Sequence, residues 1–166
     1  TIVCAYTADL YHFIAPLRSR NSSEEMVPVV VIVREQYAAA VWDPISIFHD
    51  VYLIIGSPSN AEDLIRAGVL YAKNFIVFAN TESQANVNLH GERNTPESAK
   101  ALGEIAAMSD SDTVFINSAV SIMNPTIQIV SELVHWGNIP FLNDAHSRAI
   151  LDLSLIHISE PTRQSL

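Results

Sequence analysis

The sequence holds a single cysteine, only five glycines and half as many basic as acidic residues: nine Lys and Arg stand against 18 Asp and Glu, a formal net charge of −9 over 166 residues. Each shortage excludes something. One cysteine cannot build a disulfide framework, and the chain suits a reducing setting. Cys4 lies inside the apolar run Ile-Val-Cys-Ala-Tyr, which favours a small core residue over a catalytic thiol, since a reactive thiol needs an electropositive, partly exposed site. The deficit of positive charge argues against broad nucleic-acid binding, which needs a basic face. Long hydrophobic runs are missing too. VPVVVIV covers residues 27–33, far short of the roughly 18 apolar residues that span a bilayer. No signal-peptide pattern opens the chain, and Thr1 reads as the start of a fragment.

Glycine is missing where it would be most informative. Residues 2–6 read as a buried strand and residues 8–18 as a helix, the start of a dinucleotide-binding βαβ unit. The turn between them, Ala5-Tyr6-Thr7-Ala8-Asp9, has no glycine. A G-x-G-x-x-G turn lets the backbone approach a pyrophosphate, and side chains here would crowd that approach. Glu35, after the second strand, is the available acidic ribose partner, but its spacing from the turn is longer than the usual 20 or so residues. A Rossmann-like fold without its nucleotide is the favoured reading.

What is present is aliphatic: 49% of the residues are hydrophobic and 16% charged. This suits one domain with a buried parallel sheet. Strands are expected at 2–6, 27–33, 51–55, 75–79 and 126–133. In the first helix Leu10, Phe13, Ile14 and Leu17 follow the i, i+3, i+4, i+7 rule and predict one buried face, with a bend or fraying at Pro16. A second helix is predicted over 34–41, closed by Asp43-Pro44 because the residue before proline disfavours the α region. Ser59 or Asn60 caps the third helix, with Glu62 and Asp63 in its first turn, and Gly68 ends it in a left-handed C-cap. Residues 80–110 form a polar insertion containing a helix over 96–108, and another helix spans 112–123 before Asn124-Pro125. Alternating strands and helices give an α/β fold, a Rossmann-like doubly wound parallel sheet with right-handed crossovers. The domain covers 1–150. Residues 151–166 are set aside as a non-native tail, because LSLIHISEPTR (153–163) resembles a translated sequencing adapter and the natural sequence is expected to stop near Leu151 or Asp152.

Candidate chemistry is sparse. His12, His49, His90, His135, His146 and His157 show no H-E-x-x-H spacing, and surface or capping roles are expected. Asp9, His12 and Ser19 could be drawn as a triad, but no G-x-S-x-G elbow accompanies them. The acidic clusters Glu24-Glu25, Glu62-Asp63 and Ser109-Asp110-Ser111-Asp112 do not reach the six to eight oxygens of a calcium loop, and they read as helix caps or solvated faces. No catalytic, cofactor-binding or metal-ligating residue is assigned.

Three stretches, in this order and spacing, resemble one family. FIAPLRSRN (13–21) resembles the F-x-x-P-L-R segment at the start of the second RCK (regulator of K+ conductance) domain of Slo-type potassium channels. GSPSNAEDLIRAGVLYAKNFIVFAN (56–80) resembles the RCK pattern of a glycine, a capped helix with Asp-Leu, then Ala-Gly-Val, Ala and an apolar strand. NPTIQIVSELVHWGNIPFL (124–142) resembles the segment in which a strand ends in Glu-Leu and is followed by an Asn and Phe-Leu. The resemblance covers 1–142. In IVCAY and 51–80 it lies nearer the sodium-activated, Slack-type members than the calcium-activated ones.

The resemblance implies an RCK N-terminal subdomain, incomplete at its C-terminus, that has lost the glycine cradle. Such a domain is not an enzyme and holds no cofactor. It forms part of a cytosolic gating ring that couples intracellular ion binding to a potassium pore, with regulatory Na+ or Ca2+ bound in the full channel. Its partners would be other RCK domains in a homotetrameric ring, with no nucleic acid. It would meet the plasma membrane only through a pore domain upstream of Thr1, lying itself on the cytoplasmic side. Two departures matter. Gly56 is followed by Ser57 where nucleotide-binding RCK domains have Asp. Phe141-Leu142 is followed by Asn143-Asp144-Ala145-His146 rather than the aspartate run of a calcium bowl. Val114, Phe115, Ala119, Ile122 and Met123 form either an assembly face or ordinary packing on the sheet. The rival readings are a soluble TrkA-like nucleotide-binding subunit and an NAD-dependent oxidoreductase domain.

Overall fold

The computed structural model describes residues 1–4, 10–19, 27–79, 110–142 and 147–151. Six strands, β1 (Ile2–Cys4), β2 (Val29–Val33), β3 (Val51–Ile55), β4 (Asn74–Val77), β5 (Gln128–Leu133) and β6 (Ser147–Leu151), form one sheet in the order β3-β2-β1-β4-β5-β6. Every pairing is parallel. The chain lays strands outward from β1 to β3, then returns to the other side of β1 for β4. Ile2 thereby pairs with Val30 on one flank and Phe75 on the other. This is the doubly wound order expected from the alternation of elements, with its switch point between β1 and β4.

The alternation of side chains along each strand sorts the core into two layers. Val29, Val31 and Val33 pack with Leu10 and Ile14 of α1 (Leu10–Ser19) and Val41 and Ile45 of α2 (Ala38–Ile45). Ile2, Cys4, Ile32, Phe75 and Val77 face the other way. They pack with Leu64 of α3 (Ala61–Arg66) and Ile116 and Val120 of α4 (Ser111–Met123). All three residues of β1 are buried, which is why that strand carries no polar alternation.

The local signals for α3 hold. Asn60 caps it by accepting from the Glu62 N–H at 2.9 Å. Gly68 follows with φ +81°, the left-handed conformation in which a Cβ is penalised. Asn124 stops α4 in an extended conformation.

Four expectations need correction. The helix expected over 34–41 starts later, after a 3-10 turn at Glu35–Tyr37, and α2 runs through Asp43-Pro44 to Ile45. Pro44 falls in the last turn, where one lost hydrogen bond costs least, and Val41 and Ile45, one turn apart and fully buried, hold that turn on the sheet. Leu17 of α1, expected on the buried face, is 45% exposed. The loop HWGNIP is a 3-10 segment over Trp136–Phe141. A sixth strand, Ser147–Leu151, pairs beside β5 where five strands were expected. The glycine-free turn at 5–9, the insertion and helix within 80–109, Glu24-Glu25 and residues 152–166 lie outside the described residues.

Arg18, in the last turn of α1, reaches out of the helix. Its Nε donates to the His49 carbonyl at 3.0 Å, and Nη2 donates to the carbonyls of Val27 and Asp50 at 3.0 and 3.1 Å. One planar fork thus ties the end of α1 to the segments entering β2 and β3. Asp50, at φ 56°, is the one non-glycine with positive φ among the described residues, and Arg18 holds its carbonyl.

Candidate functional site

In an open doubly wound sheet a ligand binds outside the carboxyl ends of the strands, at the switch point. Here β1 ends there in Cys4, which is fully buried. Desolvation pushes its thiol well above the ordinary value of 9.0, so it stays protonated and unreactive. On the next strand, Arg34 directly follows β2 and reaches Asp112 in the first turn of α4, with Nη2 3.3 Å from Oδ2. β2 belongs to the first half of the sheet and α4 packs on the second. This ion pair therefore joins the two halves at their carboxyl ends. Both partners are partly exposed, at 36% and 43%, so the pair contributes only about 0–1 kcal/mol. Glu35, the candidate ribose partner, lies exposed at the start of the 3-10 turn.

The β3–α3 turn is closed by protein. Asp63 Oδ2 accepts the Ser57 N–H at 2.9 Å, and Oδ1 accepts from Arg66 Nη1 at 2.6 Å. A Cβ on Gly56 would stand 2.6 Å from the Asp63 carboxyl carbon. The glycine after β3 thus makes room for a carboxylate of its own chain.

A buried carboxylate with three donors belongs to Asp110, which is 1% exposed. It stands at the N-cap of α4 but makes no side-chain cap there. It crosses instead to the end of β5. Its Oδ1 accepts the Val134 N–H at 2.8 Å, and its Oδ2 accepts the His135 N–H at 2.9 Å and Asn138 Nδ2 at 2.8 Å. Two residues before Val134, on β5, Glu132 Oε2 accepts the Ala79 N–H at 2.9 Å and ties the ends of β4 and β5 together. Deeper in the layer, Asn117 Nδ2 donates to Ser131 Oγ. Asn124 Nδ2 donates to the carbonyls of Val69 and Ala72, while its Oδ1 accepts from Thr126.

Beside this polar seam lies an apolar surface. Phe115 and Ile122, two turns apart on α4, are 70% and 81% exposed, and Trp136 and Phe141 on the 3-10 segment are 71% and 66% exposed. A shallow groove of about 200 Å3 runs between the two elements, lined by Asp110, Ser111, Val114, Phe115, Asn138 and Phe141. Of the five residues that pattern marked on this helix, Phe115 and Ile122 point outward. Val114 and Ala119 are half-buried, and Met123 packs against the core.

The histidines scatter. His12 is exposed and meets Tyr11 edge-on at 5.5 Å. His49 offers its backbone carbonyl to Arg18. His135 caps the 3-10 segment, with Nδ1 accepting the Gly137 N–H at 3.1 Å, and its ring stacks on Trp136. His90, His146, His157, Asp9 and Asp144 lie outside the described residues. Among the described residues no three His, Cys, Asp or Glu side chains come together as a metal site, and no helix is long and apolar enough to cross a membrane. Sequence reasoning missed the roles of Arg18, Arg34 and Asp110. Arg18 lies in the FIAPLRSRN stretch. Asp110 lies in a short acidic cluster that reads as solvated.

Comparison with known proteins places this geometry. A crystal structure of the TrkA-N domain of the inner membrane protein ybaL from Escherichia coli superposes with a TM-score of 0.59 at 13% identity, covering 95% of this chain and 90% of that one. That likeness is one of fold. Potassium channel subfamily T member 1 of Homo sapiens is 29% identical over 159 residues, and that of Gallus gallus is 28% identical over the same length. Each alignment takes in 92% of this chain and 12% of the channel, so the chain spans about an eighth of the length of these relatives. The family model described as the calcium-activated potassium channel slowpoke-like RCK domain matches residues 1–131. That match takes in well over half of the chain, and the chain belongs to the slowpoke-like RCK domain family.

Proposed function

We propose that this chain is a gating-ring domain of a ligand-activated potassium channel, one that couples intracellular Na+ or Ca2+ to the opening of a pore. The family match over residues 1–131 carries the reading. The relatives' name, potassium channel subfamily T member 1, supports it. In this reading the domain performs no catalysis and holds no cofactor. It is a two-state element whose equilibrium is biased by ion binding in the full channel. Its partners are further RCK domains of a homotetrameric ring, and the exposed Phe115 and Ile122 of α4 supply apolar surface for that assembly. The full-length protein lies in the plasma membrane through its pore, with this domain on the cytoplasmic side.

The test is a chimera. Residues 1–142 replace the matching segment of potassium channel subfamily T member 1, and potassium current is recorded from excised patches as intracellular Na+ and Ca2+ are varied. Retained ion-dependent current is expected. Assembled channels whose current ignores both ions overturn the reading.

A second reading, a TrkA-like nucleotide-binding subunit, draws on the fold neighbour alone. Against it stand the Gly56 position, filled by the Asp63 carboxylate, and the Arg34–Asp112 pair across the sheet halves. Calorimetric titration of the chain with NADH and AMP separates the two. Micromolar binding favours the nucleotide reading.

A further inference from the structure

β3 is the outermost strand on its side of the sheet, and among the described residues no strand lies beyond it. An edge strand ordinarily carries a charge, a proline or a bulge that discourages a further strand. β3 has none of these. Its sequence is Val-Tyr-Leu-Ile-Ile, and it pairs with β2 residue for residue from Val29 opposite Val51 to Val33 opposite Ile55. That composition suits a strand with neighbours on both sides, as β2 has. Yet Tyr52 and Ile55 are 54% and 48% exposed, and only Val51 is buried. The ladder fixes which backbone groups face outward. The Asp50 carbonyl accepts the Val29 N–H and the Gly56 N–H donates to the Val33 carbonyl, each at 2.9 Å. Tyr52 and Ile54 therefore turn their backbone groups toward β2, and Val51, Leu53 and Ile55 turn theirs away. Among the described residues nothing pairs with the N–H and carbonyl groups of those three.

We propose that β3 pairs antiparallel with β3 of a second copy of this chain, joining two sheets edge to edge. The strand fits itself. A twofold axis at Leu53 sets Leu53 opposite Leu53, Val51 opposite Ile55 and Tyr52 opposite Ile54, so every cross-strand pair is apolar. The outward-facing residues match that register: Leu53 exchanges both hydrogen bonds with its copy, and Val51 exchanges both with Ile55. The nearest charge, Asp50, falls opposite Gly56 rather than opposite itself, so no like charges meet across the ladder. A pairing of five residues is smaller than the roughly 1,200–2,000 Å2 interface of a stable complex, so the dimer is weak. The formal charge of −9 on each chain opposes it, and salt strengthens it by screening that repulsion. This edge lies on the other side of β1 from β5 and β6. The pairing depends neither on the α4 face nor on the gating-ring reading.

Analytical ultracentrifugation of the 166-residue chain tests it, with amide exchange at low and high protein concentration as a second reading. A reversible dimer with a Kd of about 10 μM to 1 mM is expected, tightening as NaCl rises from about 0.05 to 0.5 M. On dimerisation the amides of Val51, Leu53 and Ile55 should exchange more slowly. Those of Tyr52 and Ile54, already bonded to β2, should change least. Leu53→Pro removes an N–H that β2 does not use, and Ile55→Lys puts a charge on the open edge. Each should weaken the dimer about tenfold or more, and Ile55→Lys decides the matter should Leu53→Pro not fold. A chain that stays monomeric up to about 1 mM overturns the pairing and leaves the edge to a strand from another protein. So does a dimer that Ile55→Lys leaves unchanged, which marks a contact through another face.

Discussion

On the α1–α2 face of the sheet the buried side chains are Val3, Leu10, Ile14, Val29, Val31, Val33, Val41, Ile45 and Val51, apolar throughout. On the α3–α4 face an apolar layer around Phe75, Ile116 and Ile129 is bordered and crossed by polar groups. Every buried polar side chain of the described residues, Asp110, Thr113, Asn117, Asn124, Ser131 and Asn138, lies between positions 110 and 138. An apolar layer accepts many packings of similar volume, whereas a hydrogen-bonded buried group accepts few, because each missed partner is costly. Both faces hold the domain together through their apolar layers. The α4 side also fixes where each element sits, and that is the side bearing the exposed aromatic surface.

Three tests sharpen this contrast. The largest effect is expected at Phe75, fully buried beside β1. Phe75→Ala should lower stability by about 3–5 kcal/mol in urea unfolding, and Ile14→Ala on the opposite face by about 2–5 kcal/mol. A Phe75 loss under 1 kcal/mol would show that this core is not what the burial says.

The next test concerns character rather than size. Asn124→Ala leaves the carbonyls of Val69 and Ala72 without their side-chain donor and should cost about 1–3 kcal/mol. Leu10→Met, a volume-conserving swap in the apolar layer, should cost less than about 1.5 kcal/mol. Equal tolerance at both sites would erase the distinction between the faces.

The smallest effect is a pH slope. Burial raises the Cys4 thiol above its ordinary 9.0, so the unfolded chain ionises first. The stability that Cys4 contributes is complete below pH 9.0 and is lost as pH rises beyond it, at no more than about 1.4 kcal/mol per pH unit. Urea midpoints between pH 8 and 10.5 should fall more steeply for the unsubstituted chain than for Cys4→Ala. Parallel slopes would mean that the thiol meets water.

Much of this was legible beforehand where the cause is local. Val29–Val33 announces a strand buried on both faces through its β-branched run, and Asn60 and Gly68 announce the two ends of α3 through capping chemistry. The alternation of such segments determines a doubly wound parallel sheet, since right-handed crossovers leave little else. Asp110 was not legible. An aspartate at the start of a helix ordinarily caps it or faces water, and nothing near it in the chain names Val134 or Asn138 as partners. The same holds for Arg18, which serves three carbonyls from other segments, and for Arg34, whose partner lies 78 residues away. It holds also for Leu17, which shares a helical stripe with Ile14 yet lies past the edge of the buried face.

By itself, then, the sequence determined the α/β class, most of the elements and the RCK resemblance, because periodicity, capping and turn preference act over a few residues. Only the tertiary structure decided that Gly56 makes room for Asp63, that Phe115 and Ile122 face outward, and that the Asp110 carboxylate holds the end of β5. Those outcomes depend on which distant groups folding brings within hydrogen-bond reach and which it leaves in water.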